Sequence, residues 1–169
     1  AGSFRFSAHT KEIDYSLHLT EDSLQIYTDE DVLEKILPNL VSNAVKYTPR
    51  QGRISIDFRK IDRNTAVDRY PEFDAPGSEC LEFRVVNSCK TIDPQQLEHI
   101  FDRFRRLENT ESTEETPGSG IGLHYTKMLV CRQKGSIKAV FSETEGLVMS
   151  FVIPIGREAF PADEIFEQQ

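Results

Sequence analysis

The chain has no apolar run approaching the roughly 20 residues of a membrane span, and no secretory signal pattern. Direct membrane contact is therefore not expected. It also lacks any excess of positive charge: 20 Lys and Arg stand against 28 Asp and Glu, for a formal net charge of -8. That balance argues against non-specific binding to nucleic acid or to an anionic lipid surface. Cysteine is scarce. Cys80, Cys89 and Cys131 are odd in number and lack CxxC spacing, which points to reduced thiols in a cytosolic domain rather than to disulfides or metal ligands. There is no internal repeat and no low-complexity tract. What is present suits one packed core, since 169 residues with 38% hydrophobic content is the size of a single domain. The opening Ala1-Gly2-Ser3 reads as an added start, so the chain is expected to be a piece of a longer protein.

Hydrophobic spacing sets the elements. Ile13, Tyr15, Leu17 and Leu19 alternate with polar residues and predict a half-buried strand, with a second short strand over residues 24–27. Asp29 is placed to cap a helix in which Val32, Leu33, Ile36, Leu37, Leu40, Val41, Ala44 and Val45 recur at helical spacing. Thr48-Pro49 ends it, because a residue before proline avoids the helical region. Pro38 stands inside this helix and is expected to kink it. After a turn at Gln51-Gly52, Ile54, Ile56 and Phe58 mark one face of a strand. Residues 62–79, polar and holding Pro71, Pro76 and Gly77, read as a loop; residues 80–86 read as a strand. Asp93-Pro94 starts a short helix that runs to His99. Residues 105–117 have few apolar side chains and many Glu, Thr and Ser, the composition of a mobile lid. Residues 119–134 predict a helix offering Ile121, Leu123, Tyr125, Met128 and Leu129 to the core. Residues 137–141 and 147–153 predict a hairpin turning at Thr144-Glu145-Gly146. Interleaved strands and helices with hairpins imply a mixed sheet. One face packs on helices; the other is exposed or covered by a missing neighbour.

Two segments carry chemistry. In NLVSNAVKYTP (residues 39–49), Asn39, Asn43, Lys46 and Tyr47 share a helix face. In PGSGIGL (residues 117–123), Gly118, Gly120 and Gly122 let the backbone approach a ligand closely, at the positive end of a helix. Each alone has a plainer reading, a solvated amphipathic helix or a tightly packed helix entry. Together they offer amide oxygens, a lysine and backbone N–H groups, the donor set of a polyphosphate-and-metal site.

These two segments, with Phe101 to Phe104 between them, resemble the N, F and G2 boxes of the ATP-binding domain of sensor histidine kinases, in order and in separation. The resemblance covers residues 13–155, and KYTP after the first box is particularly kinase-like. It implies an α/β two-layer sandwich of the GHKL (Bergerat) ATPase type, a mixed β-sheet with three helices on one face. It also implies ATP and Mg2+ as ligands. On this resemblance Asn43 ligates Mg2+ through its amide oxygen, a ligand type that Mg2+ favours. Asn39 lies near the γ-phosphate and, with Arg103, serves catalysis. Lys46, Tyr47, Ile92, Arg106, Gly118, Ser119, Gly120, Ile121, Gly122 and Leu123 contact the nucleotide. Arg103 and Arg106 match positions that reach the triphosphate or the histidine-bearing domain, and also fit plain surface arginines. Phe101 and Phe104 are expected to pack at the base of the lid. The acidic run Glu108, Glu111, Glu114 and Glu115 would repel phosphate, and so should face solvent or a basic partner.

One box departs from the family. Its G1 motif is Asp-x-Gly-x-Gly, whose Asp accepts from the adenine amino group; here VVNSCKTI (residues 85–92) places Asn87, Cys89 and Thr91 there. An amide oxygen still accepts, without charge, and its NH2 end can point the wrong way. Two readings stay open: Asn87 substitutes with weaker adenine binding, or the chain is a degenerate pseudo-kinase module that binds ATP weakly or not at all. Lys90 fits a ribose or phosphate contact or a surface lysine. His9, His18, His99 and His124 lack the acidic-and-proline context of a phospho-accepting histidine, so the chain resembles the catalytic half only. The implied reaction is transfer of the γ-phosphoryl group of ATP to a histidine on a separate dimerisation domain, in a two-component system. The implied partners are that histidine-bearing dimerisation domain of the same protein and a response regulator receiver domain, with no nucleic acid. The implied location is the cytoplasm, as the soluble domain of a membrane-anchored sensor. Residues 1–155 are then the ATP-binding domain. Residues 156–169 are a linker or tail, as in hybrid sensors that carry a receiver. Another ATPase of the superfamily, hydrolysing ATP to drive a shape change, is the remaining alternative.

Overall fold

The computed structural model describes residues 11–20, 26–105 and 120–160. Five strands form one mixed sheet in the order β1-β2-β3-β5-β4. They are β1 (Asp14–Leu19), β2 (Arg53–Asp62), β3 (Glu79–Asn87), β4 (Ser136–Ser142) and β5 (Gly146–Pro154). β1 runs parallel to β2, and the other pairs are antiparallel. The α-helices are α1 (Glu30–Tyr47), α2 (Arg63–Arg69), α3 (Pro94–Glu98) and α4 (Gly122–Arg132).

The period of two along the strands sorts their side chains between the two faces. Leu81, Phe83 and Val85 of β3 join Ile54 of β2, Ile137 of β4 and Leu147, Met149, Phe151 and Ile153 of β5 in the main core. The inward stripe of α1, Val32, Ile36, Leu40 and Ala44, lies on this core, with Leu129 and Val130 of α4 beside it. α1 begins after Asp29 and ends at Thr48, whose N–H and hydroxyl both bond to the Ala44 carbonyl. Glu30 and Asp31 stand in its first turn and Lys46 in its last, each at the helix end its charge favours. The helix runs uninterrupted through Pro38, which is exposed together with Glu34, so water can serve the carbonyl its missing N–H leaves. α3 starts as the sequence implies, with the Asp93 carboxylate accepting from the Gln95 N–H and Pro94 in the first turn.

Several expectations need correction. Residues 62–79 are not a loop throughout. Asp62 accepts from the backbone N–H and the hydroxyl of Thr65, nucleating α2. That helix and the segment behind it cover one end of the second face of the sheet: Ala66, Tyr70, Phe73 and Ala75 pack with Cys80 of β3 and Val152 of β5. The second face is thus covered at that end by the chain's own residues, while Ser55 and Val86 stay partly exposed and Val140 is 48% exposed; β5 is buried along its whole length. The Arg69 guanidinium and the Tyr70 hydroxyl both donate to the buried carboxylate of Glu82 there, at 2.7 and 3.1 Å. Next, β1 forms but is not half-buried. Tyr15, Leu17 and Leu19 are exposed, because β1 is the edge strand. Thirdly, α4 turns Thr126, Leu129 and Val130 inward, while Ile121, Tyr125 and Met128, one stripe round the helix, are exposed. Finally, Phe101 is buried as expected but Phe104 is 65% exposed. Of the short strand expected over residues 24–27, Ile26 and Tyr27 are not in a strand and the rest lies outside the described residues.

Past β5, the turn Arg157–Ala159 packs on the body: Ala159 is buried and Lys134 donates to its carbonyl at 2.8 Å. No helix among the described residues is long and apolar enough to cross a membrane.

Candidate functional site

Between α1 and α4 lies a small cavity of about 30 Å³, room for about one water. Asn43 and Tyr47 of α1, Leu123 in the first turn of α4, Ile100 and Arg105 line it, with Leu147 and Met149 of β5 as its floor. Helical spacing puts Asn43 and Tyr47 one turn apart on the same side of α1. The strand period puts Leu147 and Met149 on the helix-covered side of β5. Lys11 fixes the C-terminal end of α1. Its ammonium donates to the carbonyls of Val45, Lys46 and Thr48 at 3.0, 2.8 and 3.1 Å, closing off orphan acceptors of the last turn. Burial pulls the Lys11 ammonium below the usual lysine range. Lys46 is partly buried with its ammonium 5.3 Å from the Tyr47 ring.

Asn39 does not line this pocket. Its amide donates to the buried Thr126 hydroxyl at 2.6 Å. Its oxygen stands 2.8 Å from where a Cβ on Gly122 would be. Gly122 therefore gives α1 and α4 their close approach, and the Asn39–Thr126 bond sets their register. Gly120 has a different need. Its φ is +67°, and a Cβ there would fall 2.8–2.9 Å from the backbone of Phe104 and Arg105. The Gly120 carbonyl accepts from the Phe104 N–H at 3.0 Å, and a ring nitrogen of His124 lies 3.1 Å from the Phe101 carbonyl. The segment entering residues 106–119 and the segment leaving them are thus tied together at their base.

The first turn of α4 has no side-chain cap and no acidic residue, which leaves its N–H groups and partial positive charge for an anion. Ile121 is the N-cap of this helix, with its side chain exposed. Arg103 is exposed, its guanidinium 5.1 Å from the Phe104 ring. Arg106, Gly118 and Ser119, the acidic run and the body of the expected lid lie outside the described residues.

Asn87 closes β3 and does not line the pocket; it is paired in register with Leu147, which does. It is fully buried, its NH2 group reaches the Ser88 carbonyl at 3.3 Å, and its Oδ1 has no hydrogen-bond partner among the described residues. An orphaned buried acceptor costs about 1–3 kcal/mol. A ligand that brings an N–H donor removes that cost, so the residue fits the expected adenine acceptor. The missing glycines cost no strain, since neither Cys89 nor Thr91 has a positive φ. Cys89 packs partly against the core; burial pushes its thiol up, opposed by the Leu147 amide. Ile92 is buried in the core.

Among the residues expected at a site, Asn43, Tyr47 and Leu123 line one pocket, and Asn39 and Gly122 meet beside it. Ile100, Arg105, Leu147 and Met149 were missed. The strand alternation held a signal for Leu147 and Met149; nothing in the run FDRFRR separates Arg105 from its neighbours.

A family model described as "Histidine kinase-, DNA gyrase B-, and HSP90-like ATPase" matches residues 28–157. The chain is 29% identical over 151 residues to the sensor histidine kinase WalK of Bacillus subtilis, covering 88% of this chain and 22% of WalK. More generally it spans 9–32% of the length of curated relatives it matches. Its fold is similar to a nucleotide-free catalytic domain of the histidine kinase ThkA, at TM-score 0.70 and 24% identity, over 94% of this chain and 90% of that one. It is also similar to full-length ShkA in complex with AMPPNP, at TM-score 0.66 and 23% identity, over 95% of this chain and 31% of that one.

Proposed function

The chain belongs to the histidine kinase-, DNA gyrase B- and HSP90-like ATPase family, and from that premise we propose that it is the ATP-binding catalytic domain of a sensor histidine kinase. The observation that carries the reading is the shared pocket: Asn43 from one helix and the first turn of α4 from another face the same space. Similarity to a named sensor kinase supports the kinase over other members of the family, and a fold neighbour binds the ATP analogue AMPPNP.

In this reading Asn43 presents its amide oxygen to a Mg2+ ion, a hard cation that takes oxygen ligands. Held there, Mg2+ would offset the negative charge of the phosphates. Lys46 adds a cation from the next turn, and the uncapped N–H groups of α4 face the phosphates. The Asn87 oxygen accepts the adenine amino group, and Leu147 and Met149 supply an apolar floor. Asn39 acts by positioning, through its bond to Thr126, rather than by touching the nucleotide. These residues orient the terminal phosphate and exclude water, which is most of what phosphoryl transfer asks of a protein. The acceptor is an imidazole nitrogen of a histidine on the dimerisation domain. The P–O bond to ADP breaks, the N–P bond forms, and the imidazole proton leaves.

A linker or tail over residues 156–169, of which Arg157–Ala159 form a turn packed on the body, belongs to the same reading, as do the histidine-bearing domain, a response regulator receiver and a cytoplasmic location. The orphan acceptor at Asn87 and the unstrained backbone at Cys89 and Thr91 favour retained binding over the pseudo-kinase alternative. The test mixes this chain, Mg-ATP and the dimerisation domain of the parent protein. Acid-labile, base-stable phosphate should appear on that domain only when all three are present. No transfer to a folded, dimeric acceptor would contradict the proposal.

A further inference from the structure

The chain enters β1 through Lys11, Glu12 and Ile13, and this entry is fastened to the C-terminal end of α1. The Lys11 ammonium, partly buried, takes the carbonyls of Val45, Lys46 and Thr48. The main chain adds two ties. The Gln51 N–H donates to the Lys11 carbonyl at 3.0 Å, and the Asp14 N–H donates to the Gly52 carbonyl at 2.9 Å. Glu12 and Gln51, beside these ties, both have left-handed backbones, with φ +54° and +58°. Such a conformation is uncommon for side chains of this kind and persists where the surroundings enforce it. The Gln51 amide donates to the Glu12 carboxylate at 3.3 Å, and Ile13 is buried in the main core. The turn of α1 held in this way belongs to the site. Tyr47 lines the cavity, Lys46 stands beside it, and Asn43 lies one turn earlier. The end of a helix carries unpaired carbonyls and partial negative charge, which opposes an anion bound close by. Lys11 meets both, with donors for the carbonyls and a positive charge for the dipole.

We propose that Lys11 is a positioning residue of the nucleotide site, which couples the entry of the chain into β1 to the phosphate-binding end of α1. Its ammonium keeps the last turn of α1 wound and offsets the negative end of that helix, so that Asn43, Lys46 and Tyr47 can meet the phosphates. The inference rests on the nucleotide-binding reading above. Lys11 does not line the cavity; it acts through the backbone of the turn that carries Tyr47. Coupling of this kind is reciprocal. A ligand that tightens the end of α1 tightens the entry, and a pull on the entry weakens the hold on the ligand.

The test compares the wild-type chain, Lys11→Met and Lys11→Arg by calorimetric titration with Mg-AMPPNP and with adenosine, and by amide hydrogen exchange. Phe73→Ala, in the layer on the second face, controls for lost stability. Lys11→Met should bind Mg-AMPPNP about fivefold more weakly and adenosine as the wild type does. Lys11→Arg keeps the charge and the donors and should recover most of the loss. Phe73→Ala should titrate like the wild type at a temperature where it is folded. Mg-AMPPNP should slow exchange of the Asp14 and Gln51 amides, which report on the entry, in the wild type but not in Lys11→Met. Wild-type affinity for Mg-AMPPNP in Lys11→Met would overturn this inference alone. So would exchange at Asp14 and Gln51 that ignores the nucleotide in the wild type, a measurement that needs no variant to fold. An equal loss with adenosine, a loss matched by Phe73→Ala, or no recovery in Lys11→Arg would overturn it too. Failure of the wild-type chain to bind any nucleotide would overturn the functional reading and this inference with it.

Discussion

Asn87 is the side chain on which the proposed adenine contact turns. It is fully buried, its amide nitrogen is occupied by the Ser88 carbonyl, and its oxygen waits without a donor. With the nitrogen so engaged, the free oxygen suits an amino-purine better than an oxo-purine, whose lone pairs would meet it head-on. A carboxylate in the same place makes a charge-assisted bond, stronger than a neutral one by about 1 kcal/mol. Asn87→Asp should therefore tighten Mg-AMPPNP binding roughly fivefold. The same variant should melt at a lower temperature without nucleotide, because a buried unpaired charge is costly. Unchanged or weakened affinity, measured by calorimetry, would show that Asn87 does not meet the base. The sequence made this residue visible as a departure from a motif. It left open whether the departure had destroyed the site, since that depends on burial and on the partner of the NH2 group.

Elements show where sequence patterns suffice and where they fail. α1 was legible from end to end, because a strong helical stripe and the pair Thr48-Pro49 fix its face and its stop. The strands β2, β3, β4 and β5 were legible from alternation and turn residues. α2 was hidden: it is 7 residues long, and prolines and charged residues surround it. What makes it an element is tertiary, the burial of Ala66, Tyr70 and Phe73 against Cys80 and Val152. The outward stripe of α4 misled for the converse reason. Ile121, Tyr125 and Met128 have helical spacing, yet Thr126 takes the inner face because Asn39 needs its hydroxyl. If the second face is a separate structural layer, Phe73→Ala should cost about 3 kcal/mol of stability. In a chain of this size that is roughly 6–12 °C in thermal midpoint. Nucleotide affinity at a temperature where the variant is folded should be unchanged. A variant as stable as wild type would mean that the layer contributes little to the fold.

The whole molecule brings together two helices, α1 and α4, that lie far apart in sequence and on which the proposed site rests. α1 and α4 meet where Gly122 lacks a side chain and Asn39 enters, and the pocket opens beside that contact over the floor of β5. A mixed sheet with a parallel edge pair and an antiparallel remainder holds both helices on one face, and α2 covers one end of the other. Convergence of the two motifs was legible from their order in the chain. The tie between Phe104 and Gly120, the Lys11 cap and the pocket-lining arginine were not, because each depends on residues distant in sequence. The chain spans only part of the length of its curated relatives. The most direct test is calorimetric titration of the chain and of Asn43→Ala with AMPPNP, each with and without Mg2+. The account predicts Mg2+-dependent binding by the wild-type chain and its abolition in Asn43→Ala. Equal affinity of the two proteins in magnesium buffer, or no binding by the wild type, would contradict it.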